Sequence, residues 1–448
     1  MSRKVNLTKL SDAERAVISK DLVITQDPPK IAPFAKPKTL VLYDMEDDDL
    51  YLPFAYAKNY PRPTRENLGS LNAKFQGELR PHQKVVQKEA ISTLNDTGSV
   101  IIAAFPSFGK TCLAINIACK IGLKTLIVCH RIVLINQWVE SIKKFSTGKV
   151  QVVKPKDHLD SKADFYVMNA INIPKKLRTD FSEIGFLVCD EIHILMAERL
   201  SECMRYILPR YVLGLSATPY RPDGLDVLFD VYCGTHKIER KLYRNHIVYK
   251  IETGFKPELK LNSQGKVDWS SVIDSTCNND DRNNFIVKII QKFKERVFLV
   301  LCKRVSQAKF LVARLEELGE DVTSLYGSNQ VYLQSSRILV GTSGKLSVGF
   351  DHPRLNTLLL ASDVEQYFIQ VLGRIFRKEA PKTEVTHRRL LCRETETKTN
   401  IENPDEPMIF DILDDHPILR KHFQTRTQVY LEHGGTLKNF RKDFPDLS

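Results

Sequence analysis

From Gly77 onward the chain alternates short, wholly apolar runs with longer segments whose apolar residues recur every three or four positions. The runs at 100–105, 125–129, 165–168, 184–189 and 211–215 lack the polar alternation of a half-exposed strand, so they predict strands buried on both faces. Helices are predicted between them. Val85, Val86, Ala90, Ile91 and Leu94 share one face up to Gly98; a second helix covers 112–121, and a third ends near Phe145. The pattern weakens over 221–282, where only 248–252 reads as a strand. It then resumes with a helix at 283–294, a strand at 297–301, and a helix at 306–318 with Ser306 as N-cap and Gly319 closing it. Strands at 321–325, 337–340, 357–360 and 410–413, a helix at 366–376 and an exposed terminal helix at 429–444 complete the series.

Such alternation predicts an α/β fold with parallel sheets and right-handed crossovers. The expected organisation is an N-terminal extension at 1–70, a first α/β domain at 71–225, a linker or small insertion at 226–282, and a second α/β domain at 283–448. Residues 1–70 read as an irregular arm or small accessory region, partly extended: Pro-rich at 26–38, acidic at 44–49 and aromatic at 51–60.

The predicted strand at 100–105 runs into Pro106, Ser107, Phe108 and Gly109, and Lys110 and Thr111 open the following helix. Strand, tight loop and helix N-terminus form a phosphate cradle: loop N–H groups face the anion, Lys110 adds charge, and the Thr111 hydroxyl suits Mg²⁺. Ala104 stands where the strict pattern has Gly, and Ser107 where a loop Gly is usual. Alone, the stretch also reads as a turn capping an ordinary helix. Asp190 and Glu191 follow another buried strand. Phosphoryl transfer needs one carboxylate on the metal and another on the attacking water, and this pair supplies both. Upstream, Arg80 and Gln83 lie before the loop, and the Gln83 amide matches the edge of adenine. In the second half, Gln370, Arg374 and Arg377 fall on one helix face, which suits a γ-phosphate or a solvated basic surface. Gly349 and Asp351 lie in a glycine-containing loop, at 341–351, able to approach phosphate or ribose.

Composition narrows the partner. With 66 Lys and Arg against 54 Asp and Glu, the formal charge of +12 favours an anionic partner, nucleic acid first. No apolar run reaches the ~18 residues of a membrane span, and 1–15 lacks the apolar core of a secretory signal, so a cytoplasmic protein without membrane contact is expected. Nine cysteines without a CxxC pair predict reduced, buried thiols.

In this order the stretches resemble a superfamily 2 helicase core of the DExH type, from Gln76 to about Lys378. Residues 79–83 resemble the adenine-reading motif and 104–111 resemble motif I. Residues 126–138, with Arg131, Gln137 and Trp138, resemble motif Ia; Asp190, Glu191, Ile192 and His193 form a motif II box; Ser216, Ala217 and Thr218 form motif III. Residues 341–351 resemble motif V, and 370–377 read QVLGRIFR, as in motif VI. The variant resembles helicases of large cytoplasmic DNA viruses, including the poxvirus transcript-release helicase and its iridovirus and asfarvirus relatives, and the xeroderma pigmentosum B type.

That resemblance implies two tandem RecA-like domains with ATP in the cleft between them. Lys110, Asp190, Glu191, Gln370, Arg374 and Arg377 would be catalytic. Arg80, Gln83, Pro106, Ser107, Phe108, Gly109, Lys110, Thr111, Gly349 and Asp351 would bind ATP, with Mg²⁺ on Thr111 and Asp190. Ser216 and Thr218 would couple the cleft to nucleic acid, and Arg131, Asn169, Lys303, Arg304 and Thr342 would touch it. Implied partners are DNA or RNA, with a viral RNA polymerase or transcription factors beside them. Helicase and non-unwinding translocase remain equally compatible with the residues.

Overall fold

The structure, a computed structural model, describes residues 2–26, 38–60, 68–106, 108–218, 220–221, 225–263, 265, 267–327, 329, 331–346, 352, 354–364, 368–376 and 406–447. The chain divides into two units, Met1–Arg240 and Lys241–Ser448.

The first unit is built on a seven-stranded sheet. Its strands lie in the order Lys237–Arg240, Ser99–Ala104, Tyr211–Ser216, Phe186–Cys189, Thr125–Cys129, Phe165–Asn169 and Val150–Val153. Every pairing is parallel. Ser99–Ala104 and Phe186–Cys189 are buried at every position, which explains their lack of polar alternation. The helix Pro81–Thr97 starts with Pro in its first turn and stops at Gly98, whose φ of +84° ends the helix.

Residues 2–26 and 38–60 follow the accessory-region alternative rather than the extended arm. Helix Asp12–Leu22 begins with a capping box between Ser11 and Glu14. Strands Ser2–Asn6, Asp49–Pro53 and Asp44–Glu46 form an antiparallel sheet, and Val23–Gln26 pairs with Lys38–Val41. Ile18, Leu22, Leu52 and Phe54 join one hydrophobic cluster with Phe229 and Tyr232. The extension is thus part of the first unit's core; acidic turns and very short strands hid it.

The second unit carries another seven-stranded sheet, in the order Val322–Leu325, Ile338–Thr342, Phe298–Cys302, Thr357–Leu360, Met408–Leu413, His246–Glu252 and Gly435–Asn439. All its pairings are also parallel. Together the two sheets form an α/β architecture of tandem RecA-like domains.

Three further expectations differ. The stretch 226–282, expected as a linker, gives helix Val227–Cys233 and strand Lys237–Arg240 to the first unit, and strand His246–Glu252 and helix Trp269–Cys277 to the second. Strand Lys237–Arg240 buries only Ile238, so its sequence shows no apolar run. Ser306 is not an N-cap: the helix is Val305–Glu317, capped at Arg304, and the Ser306 hydroxyl donates to Asn278 Oδ1 at 2.8 Å. The exposed terminal helix is replaced by a partly buried helix, Pro417–Glu432, an edge strand, Gly435–Asn439, and a short turn, Phe440–Asp443. Gly434, at φ +90°, reverses the chain there; a Cβ would lie 2.9 Å from the Arg244 carbonyl oxygen.

Candidate active site

Parallel sheets present every strand's carboxyl end at one edge, where α/β folds bind ligands. In the first unit, adjacent strands ending at Ala104, Ser216, Cys189 and Cys129 meet there. Helix Lys110–Ile121 opens at Gly109, whose φ of +86° turns the loop into the helix. The Gln83 side-chain amide braces this loop: its Nε2 donates to the Phe108 carbonyl at 2.8 Å, and its Oε1 accepts from the Arg80 N–H at 2.8 Å. A Cβ at Gly109 would lie 2.4 Å from that Nε2. One amide proton and one lone pair on Gln83 remain beyond these two bonds. Phe108 is buried, edge-on to Phe105 and His82 at 5.4 and 5.0 Å. The Lys110 ammonium lies across the loop, donating to the Ala104 carbonyl at 2.7 Å and the Phe105 carbonyl at 3.3 Å.

Asp190 is buried at the end of its strand. Its Oδ2 accepts from the Trp138 indole N–H at 2.8 Å, and its Oδ1 accepts from the Glu191 N–H at 3.1 Å. Burial first, then the neighbouring Glu191 charge, push its pKa up; the Trp138 bond and Lys110 pull it back. Glu191 holds a left-handed backbone, φ +48° and ψ 55°, uncommon for a residue with a Cβ. This strain, of order 1–3 kcal/mol, is carried by buried Ile192 and Leu195 in the short helix that follows. Among the described residues no three His, Cys, Asp or Glu side chains converge as a self-sufficient metal site. The Asp190 carboxylate and the Thr111 hydroxyl are instead the kind of oxygen groups that suit Mg²⁺, a hard cation that takes few protein oxygens and shares its shell with phosphate and water.

Motifs II and III are joined directly. The Ser216 hydroxyl donates to the Thr218 carbonyl at 2.8 Å and accepts from the Thr218 N–H at 3.0 Å. Its one proton is therefore used, so His193 Nδ1, 2.9 Å away, is the donor to Ser216 Oγ. Burial, with Arg221 and Lys110 nearby, lowers the His193 pKa to about 4, which keeps the ring neutral near pH 7.

In the second unit, helix Phe368–Leu372 is shorter than the expected 366–376 helix, and the chain continues in tight turns through Phe376. Val371, Leu372, Ile375 and Phe376 are buried while Arg374 stays partly exposed. The Phe376 ring lies 4.9 Å from that of His246, and Phe368 lies 5.1 Å from Tyr430. Just upstream, Arg426 Nη1 donates to Asp363 Oδ1 at 2.7 Å and to the Val364 carbonyl at 3.1 Å. Its other nitrogens fork onto Asp411 at 2.9 and 2.8 Å, and Tyr430 donates to Asp411 Oδ2 at 2.7 Å.

Residues 76–221 match the family described as Type III restriction enzyme, res subunit. The candidate helicase 161L of Invertebrate iridescent virus 6 is 37% identical, over 98% of this chain and 100% of its own length. The candidate helicase 055L of Frog virus 3 is 30% identical, over 88% of this chain and 87% of its own length. The chain belongs to the superfamily 2 helicases. S. cerevisiae Dbp5 bound to RNA and ADP BeF3 has the same fold, with a TM-score of 0.53 at 14% identity, covering 80% of this chain and 90% of Dbp5. The enzyme class is that of a nucleic-acid-dependent ATPase. Among the described residues, no helix is long and apolar enough to cross a membrane.

Within this helicase, the structure brings Arg80, Gln83, Pro106, Phe108, Gly109, Lys110, Thr111, Asp190 and Glu191 to one edge of the first unit. Arg131 and Asn169 also follow strands at that edge, and Lys303, Arg304 and Thr342 lie at the carboxyl edge of the second unit's sheet. Arg304 is engaged locally, with Nε donating to Asp274 Oδ1 at 2.7 Å. Ser107, Gly349, Asp351, Arg377 and the Gln370 side chain lie outside the described residues.

Sequence reasoning passed over three participants. Gln83 as a loop brace and His193 as the motif II–III link leave no signal beyond motif membership. Arg426 sits in a helix whose buried face, Leu419, Phe423, Arg426 and Tyr430, includes a charge. That charge is matched: burial opposes it, but Asp411 and Asp363 outweigh the penalty and hold its pKa up. Arg426→Ala strands two carboxylates. It is expected to destabilise the helicase by about 3–5 kcal/mol, read as a lower midpoint in chemical denaturation.

Proposed function

We propose that this helicase couples ATP hydrolysis to movement along DNA or RNA and separates strands as it moves. The supporting observation is the meeting, at one sheet edge, of the phosphate loop, the Asp190–Glu191 pair and the His193–Ser216 link. In this reading the loop N–H groups and Lys110 hold the phosphates. Gln83 offers its remaining amide proton and lone pair to adenine while bracing the loop. Thr111 and Asp190 would hold Mg²⁺, which would supply positive charge to the phosphates. Glu191 orients the attacking water and takes its proton. Gln370, Arg374 and Arg377 supply positive and hydrogen-bonding groups to the phosphoryl group in transfer. His193, Ser216 and Thr218 transmit the state of the carboxylate pair to the edge bearing Arg131 and Asn169. Gly349 and Asp351 serve nucleotide binding in the second unit.

Nucleic acid is held mainly through phosphates, so binding is sequence-tolerant and weakens as salt rises. The relatives in Invertebrate iridescent virus 6 and Frog virus 3, named as helicases, support a viral setting alone; within it the role proposed is viral transcription, such as transcript release beside a viral RNA polymerase, or DNA repair, in the infected cytoplasm or the virion. Parallel duplex- and triplex-displacement assays test the strand-separating claim. Displacement in both is expected. Displacement of the triplex alone would make the protein a translocase that remodels complexes without unwinding.

A further inference from the structure

Helix Ile132–Phe145 packs Leu134, Ile135, Trp138 and Ile142 against the first unit's sheet. An aromatic ring on that face needs no polar atom to pack. Trp138 nevertheless carries an N–H, is only 2% exposed, and places that donor 2.8 Å from Asp190 Oδ2. The other oxygen is held from a different direction, by the Glu191 N–H at 3.1 Å. Two donors on two oxygens fix both the position and the plane of the carboxylate. One comes from the chain that follows Asp190, the other from a helix two strands earlier in sequence. Each oxygen keeps a lone pair for another partner.

We propose that Trp138 is a positioning residue that sets the Asp190 carboxylate for the divalent cation of the bound nucleotide. The inference rests on the reading of Asp190 as the metal-holding carboxylate. A donor-only group suits this role, because indole cannot ionise and has no lone pair with which to compete for the cation. Groups that hold a metal ligand from behind commonly change metal affinity by about 10–100-fold when removed.

The chain contains two tryptophans, Trp138 and Trp269, and this permits a direct readout. In Trp269→Phe protein, emission comes from Trp138 alone. Titration with Mn²⁺ in the presence of ATP is expected to quench it strongly, and Asp190→Asn to abolish the quenching. Trp138→Phe preserves an aromatic ring on the helix face. It is expected to bind a fluorescent ATP analogue in EDTA as the unaltered chain does, while the Mg²⁺ concentration for half-maximal ATPase rises about 10–100-fold. Unquenched Trp138 emission with Mn²⁺–ATP bound, or an unchanged Mg²⁺ requirement in Trp138→Phe, overturns the positioning role and leaves the ATPase reading intact. A parallel loss of metal-free nucleotide binding in Trp138→Phe also overturns it, since that is the behaviour of a packing residue. If the unaltered chain shows no metal-dependent ATP binding, the assignment of Asp190 fails first, and this inference with it.

Discussion

Glu191→Gln is expected to lower nucleic-acid-stimulated ATP hydrolysis by about 10²–10⁴-fold while ATP binding stays within a few-fold of normal. The substitution keeps shape and hydrogen bonding but removes the group proposed to take the proton from water. It also removes a negative charge beside Asp190, whose pKa that charge raises. The bonds that Asp190 accepts from the Trp138 indole and from the residue-191 N–H are kept, so the defect is expected to fall on the chemical step. The left-handed backbone at Glu191, φ +48°, is imposed by the buried Ile192–Leu195 turn and tolerates Gln as it tolerates Glu. Single-turnover hydrolysis beside equilibrium nucleotide binding separates the two effects. Normal turnover in Glu191→Gln would assign the base elsewhere.

Arg374→Ala and Arg377→Ala are each expected to cost about 10³–10⁵-fold in hydrolysis with ATP binding retained. Arg374 is partly exposed in a segment whose neighbours Leu372, Ile375 and Phe376 are buried, with Phe376 against His246. The guanidinium is thus presented by a fixed backbone, the condition for stabilising charge that develops only in the transition state. Lys at position 374 keeps the charge but loses the planar fork, and should recover little. If either Ala variant instead loses ATP binding with unchanged turnover of bound nucleotide, that arginine grips the ground state and the transition-state role is wrong.

Most strands of both sheets were legible because double burial removes polar residues, as in Ser99–Ala104 and Phe298–Cys302, whereas Val150–Val153, Lys237–Arg240 and Gly435–Asn439 were not. Motifs I and II were legible because phosphate and metal chemistry admit few residue types at those spacings. What stayed hidden has a common cause: stabilisation that leaves no apolar pattern. Strand Lys237–Arg240 is secured by its backbone pairing to Ser99–Ala104 rather than by apolar side chains. Helix Pro417–Glu432 buries Arg426 and Tyr430 against Asp411, so a charged face passed for a solvated one. The folded extension draws its core from Phe229 and Tyr232, far along the chain. Trp138 was visible as a residue of a motif; its bond to Asp190 depends on two strands and a helix meeting, which no spacing encodes.

The central claim is that ATP turnover in this protein answers to nucleic acid. Steady-state ATP hydrolysis, measured with and without single-stranded DNA or RNA across a range of salt, tests it most directly. Stimulation of at least about tenfold by one of them is expected, falling steeply as salt displaces phosphate contacts. Hydrolysis at one rate, with or without nucleic acid at every salt concentration, would contradict it.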